Sequence, residues 1–212
     1  TLLDNKIDAS KIFIVPYGAD TSKLHKQVSS YNYNKSKEFV ILFVGQMVER
    51  KGIKYLIEAC KKMDMNNAIL KICGRGLAEY SREYNDLKWV KFIYNVTDED
   101  LAKLYQTSDV FVLPSLLEGF GLVILEAMSF GKPVITTYNT GGLDIIQDGV
   151  DGYIVPIRDI DCLVGRIETL RSNPDLLAKM SEAAINKANK FTWQKFRNNL
   201  TDAVNNILCA KK

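Results

Sequence analysis

Glu118-Gly119-Phe120-Gly121-Leu122-Val123-Ile124-Leu125-Glu126 is the stretch that decides how this chain folds. Ahead of it, the apolar run Val110 to Leu113 has the length and composition of a buried strand, closed by Pro114 and Ser115. Behind its two glycines, Leu122 to Phe130 is apolar-rich and reads as a helix. Strand, tight turn and helix are thus the local plan. Gly119 and Gly121 let a ligand approach the main chain closely. The helix start leaves amide N–H groups unpaired and carries about half a positive charge, so the turn suits an anion. The carboxylates are the unusual feature. Glu126 stands one turn into a helix of apolar neighbours, where an unpaired charge costs roughly several kcal/mol, so a hydrogen-bond partner is expected for it. Two plainer readings stay open on spacing alone: Glu118 as a solvated turn residue, and Glu126 on an exposed stripe or paired with a lysine.

The same alternation continues outward from this stretch. Apolar strand candidates lie at Lys11 to Val15, Glu38 to Val44, Ala68 to Cys73, Trp89 to Ile93, Pro133 to Thr136 and Tyr153 to Val155. Between them, Ile53, Leu56, Ile57 and Cys60 share one helical face, and Leu101, Leu104 and Tyr105 share another. Thr97 with Asp100 forms a capping pattern in front of the second. From Asp159 onward the periodicity is helical, interrupted at Pro174, with a last helix from Trp193 to about Leu208. Gln27 to Lys37 is polar and reads as a loop. Strands alternating with helices predict βαβ units, and continuous apolar strands predict a parallel sheet covered on both faces. Ligands of such sheets bind beyond the carboxyl ends of the strands. The turns Gly45 to Gly52, Gly74 to Gly76, Tyr94 to Asp98, Ser115 to Gly121 and Tyr138 to Gly142 are therefore expected along one edge.

Composition narrows the function. The chain has 212 residues, 47% of them hydrophobic and 25% charged, so one large globular domain is expected. A net charge of +3 with scattered lysines does not favour nucleic acid. No apolar run approaches the about 18 residues of a membrane span. Cys60, Cys73, Cys162 and Cys209 are far apart and form no CxxC pair, which argues against a zinc site or a disulfide framework and for a reduced, intracellular setting. His25 is the only histidine and sits in a polar stretch, so histidine-dependent nucleophilic catalysis is disfavoured. The chain begins at Thr1, as a piece of a longer protein would.

Among the turns, Gly74-Arg75-Gly76 starts like a dinucleotide fingerprint, but Glu79 stands where the third glycine belongs. No GxxxxGK[ST] phosphate loop occurs. The turn from Gly45 to Gly52 is more informative, because Lys51 stands at the positive end of a helix, where a cation is mildly unfavourable unless an anion is bound. A solvated lysine is the plain alternative. Together the turns supply a lysine for phosphate charge, glycine amides for close approach, and carboxylates that can each accept a vicinal diol. That set describes a nucleotide-sugar pocket.

Val112-Leu113-Pro114-Ser115-Leu116-Leu117-Glu118-Gly119-Phe120-Gly121-Leu122-Val123-Ile124-Leu125-Glu126-Ala127-Met128, continued by Gly131-Lys132-Pro133-Val134-Ile135 and Gly141-Gly142, closely resembles the donor-binding domain of retaining glycosyltransferases of family 4. Their hallmark, two glutamates with seven residues between them, is met by Glu118 and Glu126. Val15 to Asp20, Phe43-Val44-Gly45, Lys51-Gly52, Asp148 to Gly152 and Phe191-Thr192-Trp193 fit the same pattern in order, so the resemblance covers nearly the whole chain. It implies an α/β fold, a Rossmann-like parallel sheet flanked by helices, forming one half of a GT-B fold. It also implies that residues 1–212 are the carboxyl-terminal, donor-binding domain of a two-domain enzyme.

By the same resemblance, Glu118, Gly119, Phe120 and Gly121 hold the transferred sugar and Glu126 holds the nucleotide ribose. Lys51 neutralises the diphosphate, beside Gly45 and Gln46. Leu122 and Val123 supply amides near the phosphates, and the main chain at Asn95 and Val96 lies by the base. Lys51 and Glu118 are the residues implied in catalysis. No DxD-like carboxylate pair is placed for a metal, so no metal and no other cofactor is expected. Gln46 departs from the family, which usually carries arginine there; it lacks the cationic fork that suits phosphate, so either Arg50 reaches in to replace it or the donor is held more weakly. The implied partners are a nucleotide-sugar donor, such as a UDP-sugar or GDP-mannose, and a missing amino-terminal domain that binds the acceptor. Residues 193–208 would pack toward that domain and otherwise expose an apolar face. The implied location is cytoplasmic, with peripheral membrane association of the full-length enzyme left open. Two other readings share these residues: a starch or glycogen synthase-like half using an ADP-sugar, and a non-catalytic module kept for partner binding.

Overall fold

The computed structural model describes residues 5–19, 38–76 and 78–209; Asp20, His25 and the expected loop from Gln27 to Lys37 lie outside them. Among the described residues, six strands form one sheet: β1 Phe39–Val44, β2 Ala68–Cys73, β3 Val90–Ile93, β4 Val110–Leu113, β5 Val134–Thr137 and β6 Gly152–Val155. Their order is β3-β2-β1-β4-β5-β6, and every pairing is parallel. In β1, β4 and β5 each successive residue is buried, so both sheet faces are covered, as the continuous apolar strands required. Edge strand β3 is only partly covered.

The helices are α1 Ile53–Lys62, α2 Ala78–Glu83, α3 Asp98–Gln106, α4 Leu122–Ser129, α5 Gly142–Ile145, α6 Ile160–Ser172, α7 Pro174–Ala188 and α8 Trp193–Cys209. Ile53, Leu56, Ile57 and Cys60 of α1 are buried, as their spacing predicted, and α1 packs on α6 while α4 packs on α7. The capping box at the start of α3 is present, with Asp100 N–H donating to Thr97 Oγ1 at 3.1 Å and Thr97 N–H to Asp100 Oδ2 at 3.3 Å. Helix α5 and the short α2 carry no clear periodicity and were not foreseen.

The strand expected at Lys11 to Val15 does not form. Ala9–Lys11 is a 3-10 turn closed by Lys11 N–H to Asp8 O and Ile12 N–H to Ala9 O, and the following residues pair with no sheet strand. The apolar side chains that suggested it, Phe13 and Ile14, are exposed. This segment instead runs to the start of α8, where Ala19 N–H bonds Phe191 O at 3.0 Å. Gly18 lies so close there that a β-carbon on it would meet the Thr192–Trp193 peptide at 2.3 Å.

Strand order decides where a site can be. From β1 the chain moves outward to β2 and β3, then returns to β4 beside β1 and moves outward the other way. The turns after β1 and β4 therefore diverge, leaving a crevice between them.

Candidate active site at the divergence of the central strands

The four glycine-bearing turns do gather on one edge, joined by main-chain bonds. Met47 N–H donates to Arg75 O at 2.7 Å and Leu116 N–H to Arg50 O at 2.8 Å, tying the β1 turn to those of β2 and β4. Glu118 N–H donates to Asn139 O, and Gly141 N–H to Gly119 O, each at 3.0 Å, tying the β4 turn to that of β5. Gly74 N–H donates to Ile93 O, again at 3.0 Å, drawing in the end of β3.

Lys51 ends a 3-10 turn, Glu49–Lys51, and is buried although charged. Across the crevice its ammonium donates to Glu118 Oε2, and the Arg50 guanidinium stands 3.9 Å from the same oxygen. Glu118 is thus neither solvated nor unpaired. Its second oxygen accepts from Gly119 N–H at 3.2 Å. Lys51 comes this close because Gly52 has no side chain: with φ +72°, its α-carbon lies against Pro114, whose carbonyl would be 2.0 Å from an added β-carbon.

Lys51, Glu118, Phe120, Gly121, Leu122 and Val123 line one open cavity of about 390 Å³. Leu122 and Val123 begin α4, whose N-cap, Gly121, supplies no capping side chain, so first-turn amides need an acceptor from outside the helix. Gly45 lies alongside Lys51, where its β-carbon would be 3.8 Å from Lys51 Cε. Gly119 and Gln46 are both exposed. Val96 does not line this cavity. With Tyr94 and Asn95 it lines a separate cavity of about 370 Å³ beyond β3.

Glu126 is one turn deeper than the cavity and half-buried. Its expected partner is Tyr105, whose hydroxyl donates to Glu126 Oε2 at 2.9 Å. Burial pushes the Glu126 carboxyl above the usual glutamate range, the Tyr105 bond opposes that, and Asp98 adds to it. Burial likewise holds the Tyr105 phenol well above its ordinary value.

Sequence reading missed two residues of the cavity wall, Tyr17 and Trp193. In the sequence Trp193 reads as the start of the last helix, and Tyr17 falls within the stretch Val15 to Asp20. Their rings form a cluster in which Tyr17 stands 5.5 Å from Phe120, 6.2 Å from Trp193 and 5.4 Å from Phe196. No local pattern pairs residues so far apart in sequence; the Ala19 to Phe191 bond that joins them is tertiary. Among the described residues, no group of three or more His, Cys, Asp or Glu could hold a metal ion, and no helix is long and apolar enough to cross a membrane. The expected exposed apolar face of the last helix is present in α8, at Leu200, Val204, Ile207 and Leu208.

Comparison with known proteins matches the model of the family described as glycosyl transferases group 1 to residues 23–187. An uncharacterized glycosyltransferase of Methanocaldococcus jannaschii is 34% identical over 165 residues, covering 75% of this chain and 41% of that protein. The UDP-Gal:alpha-D-GlcNAc-diphosphoundecaprenol alpha-1,3-galactosyltransferase of Escherichia coli is 30% identical over 195 residues, covering 85% and 50% respectively. Among solved structures, sucrose-phosphate synthase from Thermosynechococcus elongatus superposes with a TM-score of 0.78 at 25% identity, over 92% of this chain and 52% of that one. The chain spans about half the length of the curated relatives it matches.

Proposed function

We propose, from the premise that this chain belongs to the glycosyl transferases group 1, that it is the carboxyl-terminal donor-binding domain of a retaining, family 4 enzyme of GT-B architecture. The observation that carries this reading is the Lys51–Glu118 pair spanning the crevice between β1 and β4, beside the uncapped start of α4. A nucleoside diphosphate sugar brings both ions a better use. Its phosphates accept from Lys51 and from the Leu122 and Val123 amides, and Glu118, released from part of its pairing, accepts from sugar hydroxyls. As the anomeric carbon becomes cationic, negative charge grows on the leaving phosphate, where Lys51 and the amides stabilise it. Those donors carry the charge that a metal would otherwise carry, so the reading calls for none.

Glu126 accepts the ribose diol in this reading, and Arg50, already beside Glu118, takes the place left by exposed Gln46. The Escherichia coli relative is named for a UDP-Gal donor, which makes a UDP-sugar the first donor to try. The acceptor site belongs to an amino-terminal domain, with the enzyme cytoplasmic or on the cytoplasmic membrane face. Calorimetry of the chain against UDP-glucose, GDP-mannose and ADP-glucose, without metal, tests the pocket. Binding of one donor, lost in Lys51→Ala and Glu126→Ala, supports it and names the nucleotide. Binding of none at millimolar concentration, by this chain and by the full-length protein, refutes it and favours a non-catalytic module.

A further inference from the structure

Tyr105 takes no part in the cavity wall, yet it is among the most completely buried side chains of the molecule and its one polar atom is aimed at the site. It lies near the end of α3, and helical side chains lean back toward the helix start. That lean carries the hydroxyl toward the carboxyl edge of the sheet, where it reaches Glu126 of α4. The ring is fixed on two sides, stacked on Phe130 at 5.4 Å and tilted against Phe111 at 6.0 Å. A rigid donor therefore meets a half-buried carboxylate at 2.9 Å.

We propose that Tyr105 is a positioning residue of the donor site, one that fixes the rotamer of Glu126 so that its carboxylate can accept the ribose hydroxyls. The proposal rests on the donor reading above. A carboxylate has about four lone-pair sites, so one given to Tyr105 leaves room for both hydroxyls of a vicinal diol. Protonated, the same group would offer one donor and fewer acceptors. Two charges or dipoles bear on Glu126 from α3: Asp98, which favours the protonated form, and Tyr105, which favours the ionised one. Cys73, at the end of β2, faces Tyr105 in turn. Tyr105 thus counters both burial and Asp98.

Tyr105→Phe keeps the ring and removes only the hydroxyl. The Glu126 carboxyl is followed by carbon NMR of glutamate-labelled chain, assigned by its absence in Glu126→Gln, while calorimetry follows UDP-glucose, GDP-mannose and ADP-glucose across pH 5 to 8. In Tyr105→Phe the Glu126 midpoint moves up, donor affinity at pH 7 falls about tenfold, and the acid limit of binding moves to higher pH. Phe130→Leu, which loosens the ring but keeps the hydroxyl, moves the midpoint less than Tyr105→Phe does. An unchanged Glu126 midpoint with unchanged affinity in Tyr105→Phe overturns the positioning role alone. A midpoint that moves as far in Phe130→Leu assigns the effect to packing and overturns it as well. Failure of the wild-type chain to bind any of the three donors overturns the donor reading first, and the positioning role with it.

Discussion

Replacing Gly52 with alanine should be costly, and replacing Gly119 should not, although both glycines belong to the same site. At Gly52 the new methyl would sit 2.0 Å from the Pro114 carbonyl oxygen and 2.8 Å from its carbon. An ordinary carbon–oxygen contact is about 3.3 Å, so the β1 and β4 turns must part by roughly 1 Å. Neither atom is the free end of a side chain, and the Leu116 to Arg50 bond closes the same gap. Overpacking of this kind costs about 1–3 kcal/mol, and alanine at positive φ adds about 1–2 kcal/mol. The sum is a loss of about 2–5 kcal/mol, together with a Lys51–Glu118 pair pulled apart. At Gly119 a β-carbon meets nothing within 4 Å, so Gly119→Ala should stay within about 0.5 kcal/mol of wild type. Its methyl would instead stand where the proposed sugar binds and should reduce donor affinity. Urea unfolding followed by circular dichroism reads both: the midpoint falls in Gly52→Ala with the slope unchanged, and holds in Gly119→Ala. Equal stability of the two variants would refute the close approach of the two turns.

Other substitutions test the buried charges. Burial raises the Glu126 carboxyl in the folded chain, so its stabilising contribution is complete below the unfolded glutamate value of about 4.3 and is lost as pH rises through the folded one. Glu126→Gln should therefore gain thermal stability relative to wild type as pH is taken from 4.5 to 8, while losing donor binding; a melting temperature of the variant minus that of wild type that does not rise with pH would count against it. Fully buried Lys132 donates to Gln106 O at 3.0 Å and Ser108 O at 2.8 Å, so Lys132→Met should cost about 2–4 kcal/mol in urea unfolding by stranding carbonyls at the end of α3. The Cys60 thiol is pushed up to about 12 by burial, with Glu168 adding, whereas Cys209 is exposed. An aromatic disulfide reagent at pH 8 should label Cys209 within seconds and Cys60 only on unfolding.

Most of the architecture was written into the sequence locally. Apolar runs such as Phe39–Val44 and Ala68–Cys73, long enough for strands and separated by helical periodicities, admit few arrangements besides a covered parallel sheet, because a strand without a polar side must be buried on both faces. Glycine turns after those strands marked the edge at which Lys51 and Glu118 meet. The partner demanded by Glu126 was likewise a local inference, since a carboxylate among apolar neighbours needs a hydrogen bond. Where the reading failed, at Lys11 to Val15, apolar content stood in for a strand that has no sheet partner. A short apolar run carries no record of whether anything lies beside it.

Tertiary structure decided the rest. Strand order, which sends the β1 and β4 turns apart, is invisible in any one segment, and it alone brings Lys51 to Glu118 across 67 positions. The same holds for Tyr105 as the partner of Glu126, and for Tyr17 and Trp193 closing one wall from opposite ends of the chain. Periodicity reports how a residue stands relative to its neighbours in sequence. Which side chains share a crevice depends on how whole elements are stacked, and that is settled by the packing of the core.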